Sequence, residues 1–175
     1  MDRDPTVDRY MTADPCAIDE GLTLADAADR MQANHIHHLL VLRDTALLGV
    51  VTATDLSIAL AVSGSEGATP VRSAVRPALV CPPHTRLVDV AARLEHDHEE
   101  CAVIVDGDSQ AVGIFTRTDA LRALREQLLG HEVAPEATST HMLVESGERR
   151  AVLPSVRVRR LLGGASPSPN DGKLF

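Results

Sequence analysis

The hydrophobic positions of this chain fall into two successions of one pattern. Leu24, Ala27, Ala28 and Met31 are spaced i, i+3, i+4, i+7, and Leu87, Val90, Ala91 and Leu94 repeat that spacing 63 residues later. Such spacing gathers apolar side chains on one face of a 3.6-residue period, so it predicts amphipathic helices from Leu24 to about Asn34 and from Leu87 to about Asp97. Thr23 and Asp26 have the form of a capping box at the start of the first. A short apolar run precedes each helix, Cys16-Ala17-Ile18 and Leu79-Val80-Cys81, and reads as a strand. After each helix come two longer apolar runs. Leu39 to Leu42 and Leu47 to Val51 flank Arg43-Asp44-Thr45, while Ala102 to Val105 and Ala111 to Phe115 flank Asp106-Gly107-Asp108-Ser109. Apolar runs divided by turn-forming residues predict buried hairpins. A closing helix is expected from Ala120 to Leu129, with Leu121, Leu124 and Leu128 on one face and Gly130 as its C-terminal cap.

The pattern is a tandem repeat in residue identity as well. Gly49-Val50-Val51-Thr52-Ala53-Thr54-Asp55 returns 64 residues later as Gly113-Ile114-Phe115-Thr116-Arg117-Thr118-Asp119. The change of offset from 63 to 64 places a one-residue insertion in the turn before Gly113. The expected organisation is a first repeat over 1–66, a second over 67–130, a linker at Ser63-Gly64-Ser65-Glu66-Gly67, and a C-terminal extension over 131–175. In that extension Met142 to Val144 and Val152 to Val158 read as short strands, and Gly163 to Phe175 has the Ser, Pro and Gly content of a disordered end. The fold class is α/β (α+β). A repeat buries its apolar face poorly alone, so two copies imply units packed together with a cleft between them.

Composition narrows the chemistry. A formal net charge of −8 argues against nucleic acid and against an acidic membrane surface, both of which need a positive field. With no Trp, one Tyr and two Phe, stacking platforms for single-stranded nucleic acid are missing too. Three cysteines, an odd number without a CxxC pair, fit a reducing compartment, and no apolar run approaches membrane-spanning length. The expectation is a soluble, cytoplasmic protein.

In both copies an apolar strand runs through Gly to a Thr, and three residues later an Asp opens a helix. A helix N-terminus offers unpaired N–H groups and a positive dipole end, which suit a phosphate. A carboxylate accepts only, so Asp there suits the two hydroxyls of a ribose. Thr52 with Asp55, and Thr116 with Asp119, therefore fit a nucleoside phosphate. The alternative is structural: Thr54-Asp55 and Thr118-Asp119 act simply as helix caps.

Tyr10-Met11-Thr12, the helix from Leu24 to Met31, His37-His38-Leu39-Leu40-Val41 and the Gly49 to Asp55 motif together resemble a CBS domain, and Val71 to about Gly130 resembles another. The resemblance implies two tandem CBS repeats packed with pseudo-twofold symmetry, a Bateman module. It implies clefts for AMP, ADP, ATP or S-adenosylmethionine, in which Asp55 and Asp119 contact ribose and Thr52 and Thr116 contact phosphate. By the same resemblance the clefts are lined near Ala17-Ile18 and Val80-Cys81, and near His38-Leu39 and Cys101-Ala102. Homodimers are implied as well. The sequence departs from the family where Leu40 and Val103 stand for a frequent Pro, where Arg43 replaces a frequent Asp, and where Val75-Arg76-Pro77 replaces the Met-Thr-Pro entry.

Other signals are read more plainly. His35, His37 and His38 crowd one helix end and His96 and His98 the matching one, but no Cys or carboxylate pattern completes a zinc or copper ligand set. Cys81 and Cys101 would come close if their strands are neighbours, which raises a redox switch against the default of small buried hydrophobes. No catalytic Ser-His-Asp or Cys-His order stands out. Arg149-Arg150 and Arg157-Val158-Arg159-Arg160 make the extension locally basic. The expected function is non-catalytic: an adenosyl ligand, no obligatory cofactor, and a signal passed in trans to an unknown effector protein. The alternatives are a ligand-free dimerisation or docking scaffold and a metal- or redox-responsive regulator.

Overall fold

The computed structural model describes residues 4–63 and 68–129, and the backbone of strands at 143–146, 149–152 and 156–157. Residues 64–67 of the predicted linker and the predicted disordered end lie outside the described residues. In chain order the first half carries β1 (Thr12–Ala13), β2 (Ala17–Asp19), α1 (Leu24–Ala33), β3 (His38–Arg43), β4 (Ala46–Thr52) and α2 (Ala53–Ser63). The second carries β5 (Leu79–Cys81), α3 (Leu87–His96), β6 (Cys101–Val105), β7 (Gln110–Thr116) and α4 (Arg117–Leu129), followed by β8 (Leu143–Ser146), β9 (Arg149–Val152) and β10 (Val156–Arg157).

Each half forms its own sheet. One has the order β2-β3-β4, and the other β1-β7-β6-β5 with β10 also on β7. In both, the first strand lies parallel to the second across a helical crossover, and the next two form an antiparallel hairpin. The hairpins share an irregularity at matching positions, between Val41 and Leu42 and between Ile104 and Val105. The longer second turn, Asp106 to Ser109, takes up the inserted residue.

The halves exchange their entry segments. β1 precedes the first repeat but pairs antiparallel with β7, Thr12 facing Ile114. Reciprocally, the residue 64 positions after Thr12, Arg76, bridges to Val50 on β4, with N–H···O bonds of 3.0 and 2.9 Å in the two directions. This crossing explains the glycine of the repeated motif. A Cβ at Gly49 would overlap the carbonyl oxygen of Arg76 and the side chain of Val75, and one at Gly113 would overlap the side chain of Met11.

Three apolar clusters follow from this architecture. Ile18, Leu24, Ala27, Met31, Leu39 and Val41 pack between the first sheet and its helices. Val90, Leu94, Ala102, Ile104 and Phe115 do the same in the second half, joined by Val7 and Tyr10 from the exchanged entry segment. Between the two sheets Ala17, Leu40, Leu42 and Val50 meet Cys101, Val103 and Ile114, so the halves share a buried interface. β3 and β6, buried on both faces, supply side chains alternately to their own half and to this interface, which is why they read as unbroken apolar runs.

The helix ends account for two of the histidines. His35 and His98 take left-handed backbone at φ 53° and 55°, one residue past the caps Asn34 and Asp97. After α1 the N–H of Ile36 reaches the carbonyl of Met31 and that of His35 reaches Gln32, a Schellman ending. The predicted capping box of α1 is present, with Thr23 and Asp26 bonded reciprocally. The leucine face of α4 turns outward: Leu121, Leu124 and Leu128 are 66, 54 and 77 % exposed, whereas Ala123 faces the core.

Candidate ligand clefts

β7 ends at Thr116 and α4 begins at Arg117, which makes Thr116 the N-cap and Asp119 the third helical residue. The hydroxyl of Thr116 donates to Oδ2 of Asp119 at 2.8 Å and accepts the Asp119 N–H at 3.3 Å, and the Thr116 N–H donates to the same Oδ2 at 2.8 Å. Thr52 and Asp55 repeat this at the start of α2, with a hydroxyl bond of 2.8 Å and an N–H return of 3.1 Å. The caps are thus Thr52 and Thr116 rather than Thr54 and Thr118, because each helix begins directly after the motif Thr. In each pair the Thr proton is directed to its own Asp, leaving Oδ1 of the carboxylate to face other groups.

A cleft of about 260 Å³ opens where the second motif meets the first half. Thr116, Thr118, Asp119 and Ile114 form one wall; Thr12, Asp14, Pro15 and Cys16 of the exchanged entry segment form another. Ile36, His37 and His38, from the turn after α1 into β3, complete it. Asp14 takes a left-handed φ of 49° at its edge. Asp119 is buried at 6 % exposure, and its Oδ1 accepts a 2.9 Å bond from Arg122, which also donates to the carbonyl of Tyr10 at 2.6 Å. Arg122 thereby fixes the carboxylate from one turn further along the same helix.

The quasi-equivalent place at Asp55 is furnished differently. Arg76 stands where Thr12 stands in the first cleft, and Glu99 and Glu100 stand where Ile36 and His37 stand. The Arg76 guanidinium lies 3.7 Å from Oδ1 of Asp55 and 3.9 Å from Oε2 of Glu99. Between the two places His38 and Glu100 face each other, Nε2 to Oε2 at 3.7 Å, and the buried Nε2 has no hydrogen-bond partner among the described residues. Burial holds the His38 imidazole below its usual pKa of 6.5; Glu100, Asp119 and Asp55 oppose that shift and His37 adds to it.

Of the residues expected in the clefts, Thr116, Asp119 and His38 come together in one space. Thr52 and Asp55 pair with each other at the second place. Ala17, Ile18, Leu39 and Ala102 are fully buried in the apolar clusters, Val80 packs against the cluster between the sheets, and Cys81 and Cys101 are buried. The lining comes instead from Thr12 to Cys16, just upstream of Ala17. Sequence reasoning did not bring Thr12 and Thr118 to the site, although the 64-residue correspondence of Thr12 with Arg76 carried that signal.

β5 and β6 are neighbours, but Cys81 faces Ile104 across them. Ile104 and Cys101 are three positions apart on β6, so the two thiols lie on opposite faces of the sheet, in different clusters. Burial, reinforced by Glu99 and Glu100, pushes the Cys101 thiol up to about 12. Among the described residues no group of three or more His, Cys, Asp or Glu side chains is placed to hold a metal ion. No helix among them is long and apolar enough to cross a membrane.

One sheet and two α-helices in each half, crossed entry segments and repeated Thr/Asp helix starts define a paired-repeat module. The CBS domain model matches residues 7–62 and again 71–126, and the chain belongs to the CBS domain family. The CBS domain pair of protein MJ0100, solved with 5′-methylthioadenosine and S-adenosyl-L-methionine, is similar in fold, at 19 % identity and a TM-score of 0.64, over 71 % of this chain and 99 % of that one. The CBS-pair protein CBSX2 from Arabidopsis thaliana matches at 26 % identity and a TM-score of 0.60, over 73 % of this chain and 98 % of that one; CBSX2 has also been solved with AMP. The L-aspartate semialdehyde sulfurtransferase of Methanosarcina acetivorans is 28 % identical over 121 residues, which are 69 % of this chain and 24 % of that protein. The chain therefore spans about a quarter of that relative.

Proposed function

We propose that this chain is a non-catalytic regulatory module that binds an adenosyl ligand, an adenine nucleotide or S-adenosylmethionine, in a cleft between its two repeats. The observation that carries this reading is the meeting of Asp119 and Thr116, at the start of a 13-residue helix, with the entry segment of the other repeat around a cleft of about 260 Å³. Oδ1 of Asp119 keeps acceptor capacity beside Arg122 and is the proposed acceptor of the ribose hydroxyls. Because the Thr116 proton is already directed to Asp119, phosphate on this reading meets the helix N-terminus and Thr118. Relatives in the family have been solved with AMP, S-adenosylmethionine and methylthioadenosine, which supports the ligand class.

The output is a population shift: ligand biases an effector protein only by binding one arrangement of the two repeats more tightly than another. The module acts in trans, in the cytoplasm, as a homodimer. The outward leucines of α4 also fit a second reading, a ligand-free docking scaffold.

Thermal unfolding with AMP, ADP, ATP and S-adenosylmethionine separates the two. Ligand at about a hundred times its dissociation constant stabilises by about 2.7 kcal/mol, roughly 5 to 10 °C for a chain of this size. A shift of that order, lost in an Asp55→Ala, Asp119→Ala double variant, is the expected result. No shift into the millimolar range would leave the scaffold.

A further inference from the structure

The two clefts are related by the repeat but are not chemically equal. We infer that the chain takes one adenosyl ligand, in the Asp119 cleft, because Arg76 holds the Asp55 cleft closed from within; this rests on the ligand class proposed above.

Three observations carry the argument. Arg76 is fixed at its backbone by two hydrogen bonds to Val50, two residues before Thr52, so its side chain starts beside the first motif, Gly49 to Asp55. From there the guanidinium reaches Oδ1 of Asp55, the oxygen that Thr52 does not use, and also Oε2 of Glu99, which belongs to the opposite repeat. A ribose at Asp55 would compete with that cation for the same oxygen while loosening its hold on Glu99. At the matching place in the other cleft stands Thr12, whose short side chain lines the opening without spanning it.

Asp119 also meets an arginine, but in another manner. Arg122 lies on the same helix and is anchored on the carbonyl of Tyr10, in the exchanged entry segment that packs with the second half, so it steadies the carboxylate from within that half. Ile58 occupies the position in α2 that Arg122 occupies in α4, so Asp55 has no such support from its own helix and is met instead by Arg76. The difference lies in direction: one arginine braces a carboxylate from its own repeat, the other ties it to the facing one.

Each Arg76 contact is long and partly exposed, so the closure is of the modest strength of a surface ion pair and removable by one substitution. Isothermal titration of the full chain with AMP, and separately with S-adenosylmethionine, tests it. The expected stoichiometry is one ligand per chain, abolished by Asp119→Asn and unchanged by Asp55→Asn. Arg76→Gln should admit a second ligand, which Asp55→Asn in the Arg76→Gln background removes. Glu99→Gln, which frees the far end of Arg76, serves if Arg76→Gln disturbs folding, and should tighten second-site binding at least several-fold. Two ligands per wild-type chain, or one that is lost with Asp55 and kept without Asp119, would overturn the inference and leave the ligand class standing. Silence from AMP and S-adenosylmethionine, and from ADP and ATP titrated in the same way, in wild type and in Arg76→Gln would overturn both.

Discussion

At the scale of single residues, His38 concentrates the most consequence. It opens β3, lines the Asp119 cleft and sets its buried Nε2 against Glu100 of the other repeat without a hydrogen bond. With its folded pKa held below the unfolded value by burial, the unfolded chain binds the proton first on acidification. The stability that depends on neutral His38 is fully present above about pH 6.5 and is lost as the pH falls below it towards the depressed folded value. Unfolding midpoints from pH 7.5 to 5 should therefore fall more steeply in wild type than in His38→Gln. Equal slopes in the two proteins would show that His38 carries no such linkage. Cys101, its counterpart at the start of β6, is buried with a thiol held protonated, which fits a packing role and not redox exchange.

At the scale of elements, the crossing of entry segments sets the demands on the repeated motif. Gly49 is approached by backbone, the carbonyl of Arg76, whereas Gly113 is approached by the flexible end of Met11. Gly49→Ala should accordingly destabilise by about 1–3 kcal/mol through overpacking, and Gly113→Ala by less, since Met can change rotamer. Urea midpoints at constant m would measure both, and a larger loss at Gly113 would contradict the reading. The Thr/Asp pairs belong to this scale too. Each is a capping box whose reciprocal bonds start a helix, so the structural and the ligand readings of the motif coexist in the same residues. Thr and Asp at that spacing were legible in the sequence, but which oxygen each Asp leaves available was not, because that depends on Arg122 and Arg76 arriving in space.

At the scale of the whole molecule, the helices leave apolar surface on the outside. A groove of about 760 Å³ runs between α3 and α4, flanked by Val88, Leu121 and Leu124, and a smaller one of about 390 Å³ lies between α1 and α2 near Leu56 and Leu60. The periodic leucines of α4 were visible in the sequence, and their outward direction came from the packing of Ala123 and Ala120 against the second half. Such surface fits the proposed homodimer. Leu121→Glu with Leu124→Glu should convert a dimer into a monomer in sedimentation or light scattering across a concentration series, with the unfolding of the monomer still cooperative. A wild type that is monomeric at every concentration would remove the homodimer.

Local spacing determined much on its own: the repeat and its one-residue insertion, the order of helices and hairpins, and the capping box at Thr23 and Asp26. Those features rest on periodicities of 3.6 and 2 residues and on contacts within three or four positions, so a linear reading reaches them. The tertiary structure decided the rest. It placed Thr12 and Arg76 on opposite sheets, set Cys81 and Cys101 on different faces, buried Ala17 and Ile18 while their upstream neighbours line the cleft, and made the two clefts unequal. Each of these outcomes depends on which strand pairs with which and in what register, and a pairing between residues from about twenty to about a hundred positions apart leaves no mark in the local pattern of either partner.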